Sequence, residues 1–184
     1  MPQITDFLSF PSAVVWDDML ALSPSPTQSG GTTPTSIDFG VGSAIRALAF
    51  SIGDGINGMV QFSHSYKEGS SVEPHIHWAP ITTSTDNVKW QLDYYWLNIN
   101  QAASGAPASN TCEQAGSGVA WAQQYVDFLP FVSGVGKQVS SLFMFKLSRI
   151  ASTAPSMAGR VALLAFDIHY AKDAFGSRTE NTKC

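Results

Sequence analysis

Charge is scarce in this chain of 184 residues: Asp, Glu, Lys and Arg together make up 13% of it, about half the share of an ordinary soluble domain. Clustered Lys and Arg are missing and the net charge is −4 at pH 7, so phosphate backbones find no electrostatic footprint and direct nucleic-acid binding is not expected. Cysteine occurs only as Cys112 and Cys184. Two such distant residues are no disulfide framework, and free thiols made in a reducing cytosol are the simpler expectation. No run approaches the roughly 18 apolar residues of a membrane span, and the opening "MPQITDFLSF" lacks the basic and long apolar regions of an export signal. A convincing helical stripe is absent as well; the 3.6-residue recurrence is best, and still poor, from Trp16 to Leu22.

What remains is alternation. Hydrophobic residues make up 44%, enough for one substantial core but not for two independent domains. With so little charge, much of the surface is polar-neutral or covered by other chains. In "VKWQLDYYWLN", Val88, Trp90, Leu92, Tyr94 and Trp96 share one face and Lys89, Gln91, Asp93 and Tyr95 the other, the mark of a strand with one buried side. Further strands are expected at "AIRALAFS", "NGMVQFSHSY", "EPHIHWAP", "VAWAQQYVDFL", "SSLFMFKLSRI" and "RVALLAFDIHY", with weaker ones near Val14 and Ile37. "NQAASGAPASNTCEQAGSG" and "STAPSMAG" read as loops. Regular strands without helices between them cannot build parallel crossover units, so an all-β, antiparallel two-sheet sandwich of jelly-roll type follows.

Two regions are expected. Residues 1–36 form an N-terminal arm and connector: an apolar piece, "FLSFPSAVVWDDMLAL", then "SPSPTQSGGTTPTS", which is too polar to offset its ordering entropy. The arm either docks on a neighbouring subunit or returns as an edge strand to its own body. Residues 37–184 form the sandwich.

Chemistry is sought first in Glu73-Pro74-His75-Ile76-His77-Trp78. On a strand His75 and His77 share a face, close to the spacing two imidazoles need for one metal. A third ligand would have to come from Glu73, His64, Asp167 or His169. The set resembles the His-x-His opening of cupins, but the glycine-flanked pattern that follows it there, with a downstream Glu and a later His, is missing. The expectation is therefore a wall: Ile76 and Trp78 inward, both histidines outward, no metal. His64, on the face of Val60, Phe62 and Tyr66, is expected to be a hydrogen-bonded core or rim histidine. No G-x-S-x-G elbow is present. Of the carboxylates Asp17, Asp18, Glu68, Glu73, Asp93 and Asp167, no pair is set across a cleft by sequence alone. Trp78, Trp90, Trp96 and Tyr94 read as core rather than sugar platforms, and the glycines of "SIGDGINGM" as a hairpin turn. No catalytic residue and no cofactor is expected.

Three stretches, "FSHSYKEGSSVEPHIHWAP", "VKWQLDYYW" and "FDIHYAKDAFGSRTENTK", resemble a group of tailed-phage and marine-virus virion proteins with strands of the form H-x-H-W-x-P and an ending like D-x-H-Y-x-x-D-x-x-G-S-R. The resemblance covers roughly residues 45–100 and 140–183. It implies a non-enzymatic β-sandwich component of a bacteriophage virion, as a capsid decoration or vertex protein or in the tail. The implied partners are further copies of the chain, a trimer by analogy with viral jelly rolls, and virion proteins such as the major capsid protein. The alternative is a carbohydrate- or receptor-binding sandwich module on a virus particle.

Overall fold

The computed structural model describes residues 15–21, 27–28, 32–177 and 183. Its strands are β1 (Val15–Leu20), β2 (Thr27–Gln28), β3 (Thr35–Asp38), β4 (Arg46–Phe50), β5 (Gly55–Gln61), β6 (Val72–Pro80), β7 (Asn87–Leu97), β8 (Ala108–Ala115), β9 (Gln124–Asp127), β10 (Leu142–Ile150) and β11 (Val161–Lys172). Among the described residues there is no helix, so none is long and apolar enough to cross a membrane.

One sheet runs β3-β4-β11-β6-β9 and the other β2-β5-β10-β7-β8, with every pairing between strands antiparallel. From β4 onward the chain changes sheet at each connection except β7 to β8, which gives the four-on-four order 4-11-6-9 over 5-10-7-8. That is the jelly roll, two interlocked Greek keys. Since β4 and β5 lie in different sheets, "SIGDGINGM" is not a hairpin turn. It is a sheet-to-sheet crossing, closed by Asp54, whose carboxylate accepts the Ser51 amide at 2.7 Å.

The core follows from strand alternation. Trp90, Leu92 and Trp96 of β7 face inward with Phe143, Phe145 and Leu147 of β10, and meet Phe50, Ile76, Trp78 and Phe166 of the opposite sheet, all buried. Aromatic pairs bridge the sheets: Phe50 on Trp90 at 5.2 Å and Phe145 on Phe166 at 4.8 Å between ring centroids. Both distances lie in the favourable range for tilted rings.

β11 is the organising strand. Its first residues pair with β4, Leu20 to Val15 of β1 pair with Asp167 to Lys172, and β6 runs along its other side. Its register against β6 shifts by one residue between Leu163 and Ala165, a β-bulge. The apolar piece before the connector thus adds a strand to its own body, where tertiary pairing overrides the weak helical recurrence of Trp16 to Leu22. Met19 packs against the core, whereas Trp16 and Leu20 stay exposed. Phe7, Leu8, Phe10, Val14, Leu22 and Arg178, also counted in the arm and tail, lie outside the described residues. Asp17 holds Lys172 at 2.8 Å, and this bond keeps its carboxyl below the usual range.

Candidate functional site

The outer face of the first sheet gathers titratable side chains from four neighbouring strands. Alternation along β6 sends Ile76 and Trp78 into the core, fully buried, and leaves Glu73, His75 and His77 on the opposite face, as expected. On β11 the same rule sends Phe166 and Ile168 inward and leaves Asp167 and His169 outside. Register then aligns the rows: Asp167 lies opposite His75, His169 opposite Glu73, and Ala165 opposite His77. On the flanks Asp18 of β1 pairs with His169, and Asp127 and Tyr125 of β9 pair with His75 and His77.

The resulting distances are short. His75 Nε2 lies 3.7 Å and His77 Nε2 3.9 Å from the same oxygen, Asp167 Oδ2. His169 Nε2 is 2.5 Å from Asp18 Oδ1, and its Nδ1 is 4.0 Å from Glu73 Oε2. The His75 ring centroid is 4.1 Å from that of His169, 5.2 Å from that of His77 and 4.9 Å from that of Tyr125. His75 is only 1% exposed despite facing outward, because these rings cover it. Its burial opposes the imidazolium, but Asp167, the Glu73 carbonyl and Asp18 outweigh that, so its pKa lies above the ordinary value. Burial, with Asp127 beside it, pushes the Tyr125 hydroxyl up. A hollow of about 410 Å³ opens next to the group, between Trp16, Asp17, Asp18, Glu73 and His169.

The expectation of no metal rested on the lack of a third ligand near His75 and His77, and that reason is overturned. Among the described residues, ligand atoms of His75, His77 and Asp167 lie within 4.8 Å of one another, as do those of Asp18, His75 and His169. Sequence reasoning had named Asp167 and His169 only as distant offers. Asp18, Tyr125 and Gln123, which reaches His77 Nδ1 at 2.9 Å, were not linked to the histidines at all.

The other candidates take structural places. His64 is a hydrogen-bonded rim residue, contacting Ser140 Oγ at 2.9 Å and Ser177 Oγ at 2.5 Å. Glu68 accepts the Val139 amide at 3.0 Å, and Asp93 accepts the Gln91 side-chain amide at 2.8 Å. Trp78, Trp90 and Trp96 are buried, and Tyr94 stacks on Phe143. Cys112 is a free, buried thiol on β8, and burial pushes its pKa up.

Two further surfaces are relevant. On the outer face of the second sheet, Met144 lies between Met59 and Tyr95 in one cross-strand row, with Leu142 in the next. Met59 is 64% and Met144 45% exposed. At the end of β7 a groove of about 330 Å³ is lined by Tyr94, Tyr95, Trp96, Gln101 and Lys137 among others.

Compared with known proteins, the chain matches no family model and no curated protein sequence. Solved structures similar to it include the CBM22-1–GH10 modules of the Clostridium thermocellum xylanase Xyn10B complexed with xylohexaose, at 10% identity and a TM-score of 0.41. That match covers 90% of this chain and 27% of the xylanase chain. Another is TmCBM61 in complex with β-1,4-galactotriose, at 10% identity and a TM-score of 0.36, covering 94% of both chains.

Proposed function

We propose that this chain is a non-enzymatic structural subunit of a bacteriophage virion, a capsid decoration, vertex or tail-associated protein that works through subunit contacts. The observation that carries the reading is the Met59–Met144–Tyr95 row, an apolar strip standing in solvent on a sheet face. Isolated exposed apolar residues mean little, but a contiguous row of flexible Met and aromatic Tyr is what the centre of a protein interface is made of. A polar row lies beside it: Lys146 is opposite Asp93 and Asn57. The occupant is a further copy of the chain, in line with the symmetric self-association usual for identical subunits.

Light scattering of the purified chain across a concentration series tests this. A concentration-dependent oligomer that M59K and M144K convert to monomer is expected, together with antibody labelling of intact particles. A monomer at every concentration, with particles that do not label, overturns it.

A second reading, a carbohydrate- or receptor-binding module, draws on the groove beside Tyr94, Tyr95 and Trp96, where aromatic edges meet Gln101 and Lys137. Binding of a defined oligosaccharide that Gln101→Ala abolishes would favour it over assembly.

A further inference from the structure

We propose that His75, His77 and Asp167 form a site for one divalent transition-metal ion of the zinc class on the outer face of the first sheet. Around a tetrahedral zinc with bonds near 2.0–2.1 Å, neighbouring ligand atoms stand about 3.4 Å apart. The two His Nε2 atoms lie 3.7 and 3.9 Å from Asp167 Oδ2, and the ligand atoms of all three residues lie within 4.8 Å of one another, so side-chain rotations are what the set needs to close. Two imidazoles and one carboxylate suit zinc and its neighbours in the first transition row rather than magnesium or calcium, which take oxygen ligands.

Two hydrogen-bonding details point the same way, and a third is compatible once the Gln123 amide, whose Nε2 faces His77 Nδ1, is turned. His75 Nδ1 faces the Glu73 carbonyl at 3.3 Å. A carbonyl can only accept, so Nδ1 carries the proton, and the neutral ring turns the lone pair of Nε2 toward the Asp167 carboxylate. The carboxylate favours a cation at that nitrogen, a proton in the metal-free protein and a metal ion in its place once one is bound. The other carboxylate oxygen, Asp167 Oδ1, is buried and has no hydrogen-bond partner among the described residues, which is costly for a charged group unless something else compensates it. His77 Nδ1 is 2.9 Å from the Gln123 side-chain amide. Turned about its bond, that amide accepts from Nδ1–H and frees Nε2 for the metal, the usual outer support of a ligating histidine.

The scaffold is stiff where the ligands stand. Both histidines and Asp167 project from adjacent strands of the sheet interior, and sites on such elements hold their geometry better than sites on loops. His169, held by Asp18, walls the site on one side. The side chains of His77 and Asp167 are part-exposed, at 23% and 15%, so water reaches the site from their side.

The test uses the full chain without a polyhistidine tag, stripped with chelator and titrated with zinc chloride by calorimetry, with the cobalt(II) visible spectrum as an independent readout. One ion per chain is expected, with a higher melting temperature. His77→Gln and Asp167→Asn should each weaken binding by at least about tenfold, while H64Q, outside the cluster, should bind as the parent does. Circular dichroism confirms that each variant keeps the β fold, which matters for any change at buried His75. Absence of one-to-one binding, or binding retained in the H77Q/D167N double variant, overturns the site. The readouts are made on isolated protein, so they stand or fall separately from the virion reading.

Discussion

Trp78 and Gln114 tie the two sheets together: the indole Nε1–H of β6 donates to Gln114 Oε1 of β8 at 2.9 Å, across the sandwich interior. Trp78 is fully buried, so this N–H has no access to bulk water. Gln114→Leu leaves it unpaired and should cost roughly 1–3 kcal/mol in equilibrium urea unfolding. An unchanged midpoint would show that the indole finds another partner.

Gly58 sits opposite Phe145 in the β5–β10 pairing. A Cβ at Gly58 would collide with the Phe145 ring, and that ring is itself packed on Phe166. Gly58→Ala should therefore destabilise by about 1–3 kcal/mol through overpacking. Combining it with Phe145→Leu should give less than the sum of the two single costs.

Arg149 is buried inside the sandwich, and its guanidinium donates to the carbonyls of Phe50, Gly159 and Met157. Burial lowers its pKa to about 10, so it is charged throughout the neutral range. Arg149→Met orphans three acceptors and should cost at least about 2 kcal/mol. Arg149→Lys should not rescue it, because an ammonium cannot reproduce the planar fork. Thermal unfolding of both variants checks this.

Glu113 on β8 accepts from Asn87 Nδ2 and from the Thr153 amide and hydroxyl. These bonds, Asn87 first and Thr153 next, lower its pKa from 4.5 to about 2. A depressed carboxylate pKa gives stability that is present above pH 4.5 and is lost as the pH falls toward 2. Parent and Glu113→Gln should therefore differ most at neutral pH and converge near pH 2 in urea titrations. A constant gap across that range would assign the effect to shape instead of charge.

The sandwich was legible in the sequence because its strong strands bury one face and alternate cleanly, as β7 does. β8 was not: "ASNTCEQA" has low strand propensity, and Cys112 is its only fully buried residue. It is a strand because β7 offers it eight residues of edge to pair with, a tertiary cause that no local pattern carries. β9 proved shorter than expected, since Val119 to Gln123 are turn and loop, with Trp121 at a positive φ of 66°. The histidine group was half legible. Outward projection of His75 and His77 follows from alternation, but Asp167 and His169 arrive from some 90 residues away through a pairing register that composition does not encode.

The one-residue shift in β11 sets the phase of that strand. Continued without it, the register Leu163↔Trp78 would put Asp167 opposite Pro74 and Phe166 opposite His75, and every side chain beyond the shift would change face. Phe166, Ile168 and Tyr170 would then stand in solvent while Asp167 and His169 entered the core. Leu164 thus works as a spacer in a two-letter code, separating a stretch read in one frame from a stretch read in the other. Its deletion should close the bulge and leave Phe166 in the core and Asp167 opposite His75, so the register survives the loss of the residue while the local kink does not.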